Sequence, residues 1–239
     1  MRLICAKNYQ DMSRKAANLI SAQVILCPES VLGLATGSTP IGIYRQLISW
    51  YEKGDVDFSK AVSINLDEYC GLSPRDPQSY SCFMHQNFFD HINIDPRRVY
   101  LPDGMQTNST LECARYDRVI ADNGGIDLQL LGIGRNEPED TFPKATHYVD
   151  LTESTIQANT RFFQSADEVP KLAYSVGMQA IMQARKILLV ACGEDKAEAL
   201  QRSFFGPVTP QIPASILQLH QDVTVIADTA ALSLCPVTK

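Results

Sequence analysis

Short runs of apolar and β-branched residues alternate with longer amphipathic stretches along this chain. The short runs predict strands at 2–5, 31–35, 62–66, 126–133, 187–191 and 223–227. The longer stretches predict helices at 11–25, 40–53, 79–89, 111–122, 169–184 and 196–204. Nearly continuous apolar strands such as IDLQLLGIG and ILLVACG are typical of strands that are covered on both faces. The pattern therefore predicts an α/β fold with a doubly wound, mostly parallel, Rossmann-like sheet and helices on both faces.

The length and charge of the chain limit the number of domains and the kinds of ligand-binding surface that it can have. At 239 residues with no visible linker or repeat, the sequence favours one domain over 1–239. A formal net charge of -6 and a pI near 5.2 argue against a nucleic-acid surface or a polybasic membrane patch. An anionic ligand would therefore have to be held by local features of the fold.

The seven cysteines contain no C-x-x-C pair, which excludes the common zinc and thioredoxin-like spacings. Several, such as Cys5 and Cys192, lie in apolar runs, so we expect buried thiols in a reducing compartment. The amino terminus has no signal-peptide pattern, and no apolar run reaches membrane-spanning length. These features predict a cytoplasmic protein.

Ligands of doubly wound sheets bind beyond the carboxyl ends of the strands, and the turn after the strand at 31–35 is polar. Gly37 permits a close approach of the backbone, Ser38 and Thr39 add hydroxyl groups, and Pro40 suits the first turn of a helix. A helix N-terminus offers unpaired N–H groups to a phosphate. The alternative is that Ser38 or Thr39 only caps the helix.

Three further strand ends carry charged groups. Asp67 and Glu68 follow the strand at 62–66, where a partly desolvated carboxylate can act as a general base or simply remain a solvated loop charge. Lys196 stands near a helix start, which is unfavourable for a cation unless it meets an anion, although a surface lysine is the default. The strand at 126–133 leads into a polar, acidic loop. That loop lacks the third glycine of a dinucleotide-binding motif, because Glu137 stands in its place.

Seven segments, taken in order, resemble the glucosamine-6-phosphate deaminase family. They are TGSTPIGIY at 36–44, NLDEYCGL at 65–72, SYSCFMHQNFFDHI at 79–92, IDLQLLGIG at 126–134, NEPEDTF at 136–142, DLTESTIQANTRFF at 150–163 and GEDKAEAL at 193–200. The resemblance covers essentially the whole chain. It implies a sheet of the deaminase/isomerase type and conversion of glucosamine 6-phosphate to fructose 6-phosphate and ammonia, without a metal or redox cofactor.

The same resemblance implies roles for individual residues. Asp67 matches the base that moves a proton between C1 and C2, and Glu137 matches the carboxylate that partners the catalytic histidine. The ligands of the substrate phosphate are carried over to Gly37, Ser38, Thr39, Arg161 and Lys196. A phosphate handle of this kind supplies binding energy remote from the reacting carbons.

One loop departs from the family. Members usually read G-x-G-x-N-G-H-I-G-F-N-E-P after this strand, whereas here Gly134, Arg135 and Asn136 run directly into Glu137. The connection is therefore six residues shorter and lacks the histidine to which ring opening is attributed. None of the four remaining histidines is a persuasive replacement: we expect a structural role for His85, a capping or surface role for His91, and no catalytic role for His147 or His220.

Three hypotheses follow. The first is a deaminase whose turnover is impaired by the short loop, and the second is a hexosamine 6-phosphate-binding protein without turnover. The third is a 6-phosphogluconolactonase-like hydrolase, against which the NLDEY and TESTIQANTRFF segments argue. The chain ends soon after its last predicted strand, as in the shorter members, so we expect a monomer more than a hexamer.

Overall fold

A computed structural model describes residues 1–134 and 141–236, apart from positions 152, 154, 155, 158, 159, 161, 162, 164, 166 and 167. Two of the residues that the sequence assigns to the site, Glu137 and Arg161, lie outside the described residues.

Seven parallel strands form the central sheet, and their order in space is β1-β10-β9-β6-β2-β3-β5. The strands are β1 (Arg2–Ala6), β2 (Val31–Leu34), β3 (Val62–Asn65), β5 (Val99–Tyr100), β6 (Leu128–Leu131), β9 (Lys186–Ala191) and β10 (Val223–Asp228). From β2 the chain moves to β3 on one side, whereas β6 lies on its other side and leads to β9 and β10. The topological switch point, where such sheets bind ligands, therefore lies between β2 and β6.

Helices cover both faces of this sheet, as the sequence pattern predicts. They are α1 (Tyr9–Leu26), α2 (Ile41–Glu52), α3 (Tyr80–Asn87), α4 (Ser109–Asp122), α5 (Met178–Gln183) and α6 (Ala197–Phe205). Asn8, Ser79 and Asn108 cap α1, α3 and α4, because each side chain accepts a hydrogen bond from a backbone N–H of the first turn.

Each face of the sheet has its own apolar core. On one face, side chains of α1, α2 and α3, such as Ile20, Tyr44 and Met84, pack on β2, β6 and β9. On the other face, side chains of α4 and α6, such as Tyr116 and Leu200, pack on alternate residues of the same strands. Burial on both faces explains why β2, β3 and β6 are apolar or small at nearly every position.

A second, three-stranded sheet stands beside the first and corrects one prediction. Its order is β4-β8-β7, antiparallel, with β4 (Asp67–Tyr69), β7 (His147–Asp150) and β8 (Leu172–Ser175). The predicted helix over 169–184 is therefore wrong in its first half, which forms β8, and only α5 remains helical. The pairing of β8 with β4 and β7 overrides the apolar pattern of this segment.

The cysteines also differ from expectation. All seven are free thiols, but Cys5 and Cys27 are exposed and the other five are half-buried, so none is a buried core residue. Cys5 is exposed because β1 is an edge strand of the central sheet. Across the described residues, no helix is both long and apolar enough to cross a bilayer. Within the same ranges, His, Cys, Asp and Glu side chains form no group of three or more that could hold a metal ion.

Candidate active site

Several of the predicted site residues follow strands of the central sheet. The turn at 36–39 follows β2, Asp67 follows β3, and Lys196 follows β9. Because these strands are parallel members of one sheet, their carboxyl ends meet at the same edge. The fold thus brings Asp67, Lys196 and the turn at 36–39 to the edge at which the switch point opens.

The turn after β2 has the backbone of a ligand cradle. Gly37 has φ +93°, a left-handed conformation that side-chain-bearing residues rarely adopt, and a Cβ added there would meet no atom within 4 Å. The N-cap of α2 is Pro40, so neither Ser38 nor Thr39 occupies the capping position. The simple capping interpretation is therefore wrong.

Tyr9, at the start of α1, supports this turn, and the sequence gives no sign of it. Its hydroxyl donates to the carbonyl oxygen of Ser38 at 3.1 Å and accepts from the backbone N–H of Gly42 at 2.8 Å. Gly42 is required beside it, since an added Cβ would lie 2.4 Å from Ser13 Oγ and 2.9 Å from the Tyr9 hydroxyl. One phenol therefore joins the turn to the first turn of α2.

Asp67 lies against the same turn. The Thr36 side chain hydrogen-bonds its carboxylate, and its Oδ1 is enclosed without a hydrogen-bond partner among the described residues. Burial, and then the charge of Glu68, raise the pKa of Asp67 to about 7, although the bond from Thr36 acts in the opposite direction. A carboxylate that is half ionised near neutral pH is well suited to take up and return a proton.

Three phenols lie near Asp67: those of Tyr44 and Tyr116 are buried, and that of Tyr80 is half-buried. Burial raises the pKa of Tyr44, Tyr80 and Tyr116, and the negative charge of Asp67 raises each further. They are therefore neutral at physiological pH. The Tyr44 hydroxyl donates to Ala35 O at 2.5 Å, which ties α2 to the end of β2.

A buried aspartate on the neighbouring strand holds the turn that leads to Lys196. Asp228, at the end of β10, accepts from Gly193 N at 3.1 Å and from Cys192 Sγ at 3.0 Å. Burial alone would raise the pKa of Asp228, but these and other hydrogen bonds hold it below its ordinary value. The Lys196 ammonium lies 3.1 Å from Asp195 Oδ2, and its side chain is 23% exposed. A partly buried cation paired with an exposed aspartate is available to an incoming anion.

An aromatic cavity of about 220 Å³ opens beside Gly37. Its walls include Tyr69, Tyr80, Phe83 and Phe163, and the rings of Tyr69 and Tyr80 are in tilted contact with centroids 4.5 Å apart. The cavity gives the edge an apolar wall next to the turn and Asp67. Only NLDEY and SYSC, taken together with the fold, could have suggested this wall from the sequence.

Each of the four histidines has a local polar partner. His85 is half-buried, its ring contacts Phe89, and its Nδ1 lies 2.7 Å from Asp90. The Nε2 of His91 contacts Gln86 O at 2.9 Å, in agreement with a capping role at the end of α3. His220 Nε2 contacts Ala184 O at 2.8 Å, and His147 Nδ1 contacts Ala145 O at 3.2 Å.

Comparison with known proteins identifies the family of the chain. The family model for glucosamine-6-phosphate isomerases and 6-phosphogluconolactonases matches residues 6–226. The chain is 58% identical over 232 residues to a glucosamine-6-phosphate deaminase of Lachnoclostridium phytofermentans, covering 95% of this chain and 98% of the relative. It is 52% identical over 240 residues to the deaminase of Halothermothrix orenii, covering 98% of this chain and all of the relative.

Among solved structures, the chain is similar to a monomeric glucosamine-6-phosphate deaminase. The TM-score is 0.95 at 43% sequence identity, with 98% of this chain and 100% of the other covered. The two chains therefore share the same overall fold. The chain belongs to the glucosamine-6-phosphate isomerase/6-phosphogluconolactonase family.

Proposed function

We propose that this protein is a glucosamine-6-phosphate deaminase, which converts glucosamine 6-phosphate and water to fructose 6-phosphate and ammonia. Relatives with that name at 52–58% identity over nearly the whole chain support the activity. The observation that carries the proposal is the half-buried Asp67, whose Oδ1 is enclosed and whose carboxylate is hydrogen-bonded by Thr36, next to the open turn at Gly37.

The chemistry assigned to Asp67 is proton transfer along the opened sugar. Once the ring is open, C1 is an aldehyde and C2 carries an ammonium group. Asp67 removes the proton from C2, and that electron pair forms a C1–C2 double bond while the C1–O π pair moves to the aldehyde oxygen. The oxygen takes up a proton from the ammonium group, which gives an enolamine. The protonated carboxyl group then returns a proton to C1, which leaves an iminium at C2. Water adds to that carbon and ammonia departs, giving the 2-keto sugar. The pKa of about 7 supports the role, because such a group both accepts and returns a proton near neutral pH.

The phosphate of the substrate is assigned to the turn at 36–39 and to cationic side chains. Gly37, Ser38 and Thr39 offer backbone and hydroxyl donors beside α2, and Lys196 supplies a charge at the same edge. Arg161 completes the proposed set, and Glu137 is proposed as the second catalytic carboxylate. Binding at the phosphate holds C1 and C2 near Asp67, so that the transfer becomes effectively intramolecular.

The short loop after Gly134 bears on the rate. A general acid or base contributes roughly 10²- to 10⁴-fold to a rate. The chain lacks the segment in which family members carry the ring-opening histidine, and the described histidines have partners elsewhere. We therefore propose that turnover is slow and limited by ring opening, while phosphate binding is retained.

The short loop after Gly134, which lacks the histidine, also favours a second candidate. This candidate is a hexosamine 6-phosphate-binding protein without turnover. In this candidate the turn at 36–39 and Lys196 still bind the phosphate, but Asp67 does not take part in catalysis. Binding of glucosamine 6-phosphate with no product over long incubation would support this candidate.

We further propose a monomer of one domain over 1–239 that works in the cytoplasm. The 43% identical structure belongs to a monomeric deaminase, which supports the oligomeric state. Pairing of β1 with β10 joins the two ends of the described chain in one sheet, which supports a single domain. Light scattering during gel filtration tests the first point, and a single cooperative unfolding transition tests the second.

The function is tested by identifying products. Purified protein is incubated with glucosamine 6-phosphate, and ammonia and fructose 6-phosphate are quantified; a parallel sample receives 6-phosphogluconolactone. The proposal predicts equal amounts of ammonia and fructose 6-phosphate and no lactone hydrolysis above the spontaneous rate. Lactone hydrolysis without ammonia, or the absence of both binding and products, would contradict it.

A further inference from the structure

Glu68, the neighbour of Asp67, is buried, and its role is not explained by the proton transfer. Its side chain is 2% exposed and lies between β4 and the start of α3. Buried glutamates are uncommon unless they are paired, yet the charged atoms that face this carboxylate are the acids Asp67 and Asp76. Burial, as the main cause, raises the pKa of Glu68, and the hydrogen bonds to its carboxylate act in the opposite direction, so these bonds are what stabilise its charged form.

Three backbone N–H groups donate to the Glu68 carboxylate. Oε1 accepts from Tyr69 N at 2.8 Å and from Tyr80 N at 2.9 Å, and Oε2 accepts from Ser81 N at 2.8 Å. Tyr80 and Ser81 begin α3, where N–H groups have no partner within the helix and where a negative charge is favourable. Glu68 thus binds β4 to the first turn of α3.

The segment around Gly104 covers this carboxylate from outside. A Cβ at Gly104 would lie 2.2 Å from Tyr69 O and 3.4 Å from Glu68 Cγ, so only glycine permits the approach. Gly71 N donates to Gly104 O at 2.8 Å and holds the cover in place. The three N–H bonds are therefore formed in an enclosed space.

The link extends to the candidate active site through Tyr80. Its ring is in tilted contact with that of Tyr69 and forms part of the aromatic cavity that Gly37 also lines. The phenol is close enough to Asp67 for the carboxylate charge to raise the pKa of Tyr80, after burial as the main cause. The position of this wall relative to Asp67 depends on α3, and the first turn of α3 is held by Glu68.

We propose that Glu68 is a positioning residue of the site: its carboxylate fixes Tyr80 against Asp67 and places a negative charge beside that base. This inference rests on the proposed role of Asp67. The titratable groups around Asp67 in the described part of the chain are Glu68 and the neutral phenols of Tyr44, Tyr80 and Tyr116. Among the described residues, Glu68 is therefore the one charged neighbour that changes the pKa of Asp67.

The test titrates Asp67 directly, by ¹³C NMR of aspartate carboxyl groups, with Asp67→Asn used for assignment. Glu68→Gln removes the charge and retains the shape of the side chain. We expect the Asp67 midpoint to fall by roughly half a pH unit or more. The matched control is Glu112→Gln, because Glu112 is also 2% exposed and accepts a backbone N–H, from Asp103 at 2.7 Å, but it does not act on Asp67. In that variant the midpoint should not move.

Two further results separate positioning from folding. If turnover is measurable, the acid limb of kcat/KM in Glu68→Gln moves with the NMR midpoint and raises the relative rate at pH 6 roughly 2- to 3-fold. Glu68→Asp keeps the charge but is too short for the bonds to α3; it should keep the high midpoint and weaken binding of glucosamine 6-phosphate by about 5-fold or more. If Glu68→Gln does not fold, the affinity of Glu68→Asp for glucosamine 6-phosphate tests the proposal.

An unchanged Asp67 midpoint in folded Glu68→Gln would overturn the proposal, as would unchanged ligand affinity in Glu68→Asp. The NMR midpoint is read without substrate. A wild-type protein that makes no product therefore contradicts the proposed function, whereas an unmoved midpoint contradicts the role of Glu68.

Discussion

At Asp67, burial and hydrogen bonding act on one carboxylate in opposite directions. Burial and the neighbouring Glu68 raise its pKa, and the hydrogen bond from Thr36 lowers it. The net value of about 7 means that the folded protein holds this proton more tightly than the unfolded chain does. A group suited to proton transfer therefore costs stability at neutral pH.

This cost predicts a pH-dependent effect of Asp67→Asn. The pKa of Asp67 is raised from 3.8 to about 7, so its contribution to the free energy of unfolding falls as pH rises through that window. The asparagine side chain of the variant does not titrate, so it makes no pH-dependent contribution to the free energy of unfolding. We expect Asp67→Asn to gain on the wild type by on the order of 2 kcal/mol between pH 4 and pH 8, measured by urea unfolding. An equal difference at both pH values would show that Asp67 titrates normally.

Tyr9 predicts a separate effect on phosphate binding. Tyr9→Phe removes the hydroxyl that contacts Ser38 O and Gly42 N, so the turn at 36–39 loses its support from α1. Affinity for glucosamine 6-phosphate, measured by calorimetry, should fall roughly 3- to 10-fold. Tyr51→Phe, near the end of α2, is the control and should bind as the wild type does. Equal affinities in the two variants would mean that the turn does not need Tyr9.

Sequence patterns identified some of these site residues but not others, and the reason is physical. Gly37 and Asp67 stand at strand ends, and a strand end can be located from a local apolar pattern. Tyr9 acts on a residue 29 positions away, and Glu68 acts on amides 12 and 13 positions away. Such contacts depend on how helices dock, which local patterns do not encode.

At the scale of elements, strands that are buried on both faces were the easiest to predict. All strands of the central sheet except β5 correspond to predicted runs, and β5 has only two residues. The strands of the second sheet have three or four residues each, and β7 alternates between half-buried and exposed positions, so their apolar signal is weak. Pairing of β8 with β4 and β7 decided the structure of a segment in which Pro170 and Gly177 already disfavour one long helix.

The loop after β6 predicts a gain of function. Reinsertion of G-H-I-G-F-N between Asn136 and Glu137 supplies the histidine that the family resemblance assigns to ring opening. If proton transfer at this step limits the rate, kcat should rise roughly 10²- to 10⁴-fold. The rate is measured as ammonia release at saturating substrate.

The control for this insertion is G-A-I-G-F-N, which restores loop length without the imidazole. It should recover little of the rate. Equal rates from the two insertions would mean that loop length and not the histidine was missing, and no gain from either would place the defect elsewhere in the protein.

At the scale of the whole molecule, the parallel sheet determines where chemistry is possible. The carboxyl ends of β2, β3 and β9 bring the turn at 36–39, Asp67 and Lys196 to one edge. This convergence could be predicted from strand-helix alternation together with the general rule for such sheets. The net charge of -6 agrees with an anion site built from local donors and not from a positive field.

The opposite edge of the same sheet offers a matched comparison for the base. Asp127 lies just before β6, where its carboxylate accepts from Val31 N at 2.7 Å and pairs with Arg185. It is a partly buried aspartate of the same sheet, but it is remote from the carboxyl ends of the strands. Asp127→Asn therefore tests whether loss of any sheet aspartate lowers the rate.

The central claim is that Asp67 moves the proton, and the most direct measurement is steady-state release of ammonia and fructose 6-phosphate by wild type, Asp67→Asn and Asp127→Asn at pH 8. We predict a loss of about 10²-fold or more in Asp67→Asn. Substrate affinity should be nearly unchanged in that variant, and Asp127→Asn should have a rate close to that of the wild type. Turnover by Asp67→Asn at the wild-type rate would contradict the account.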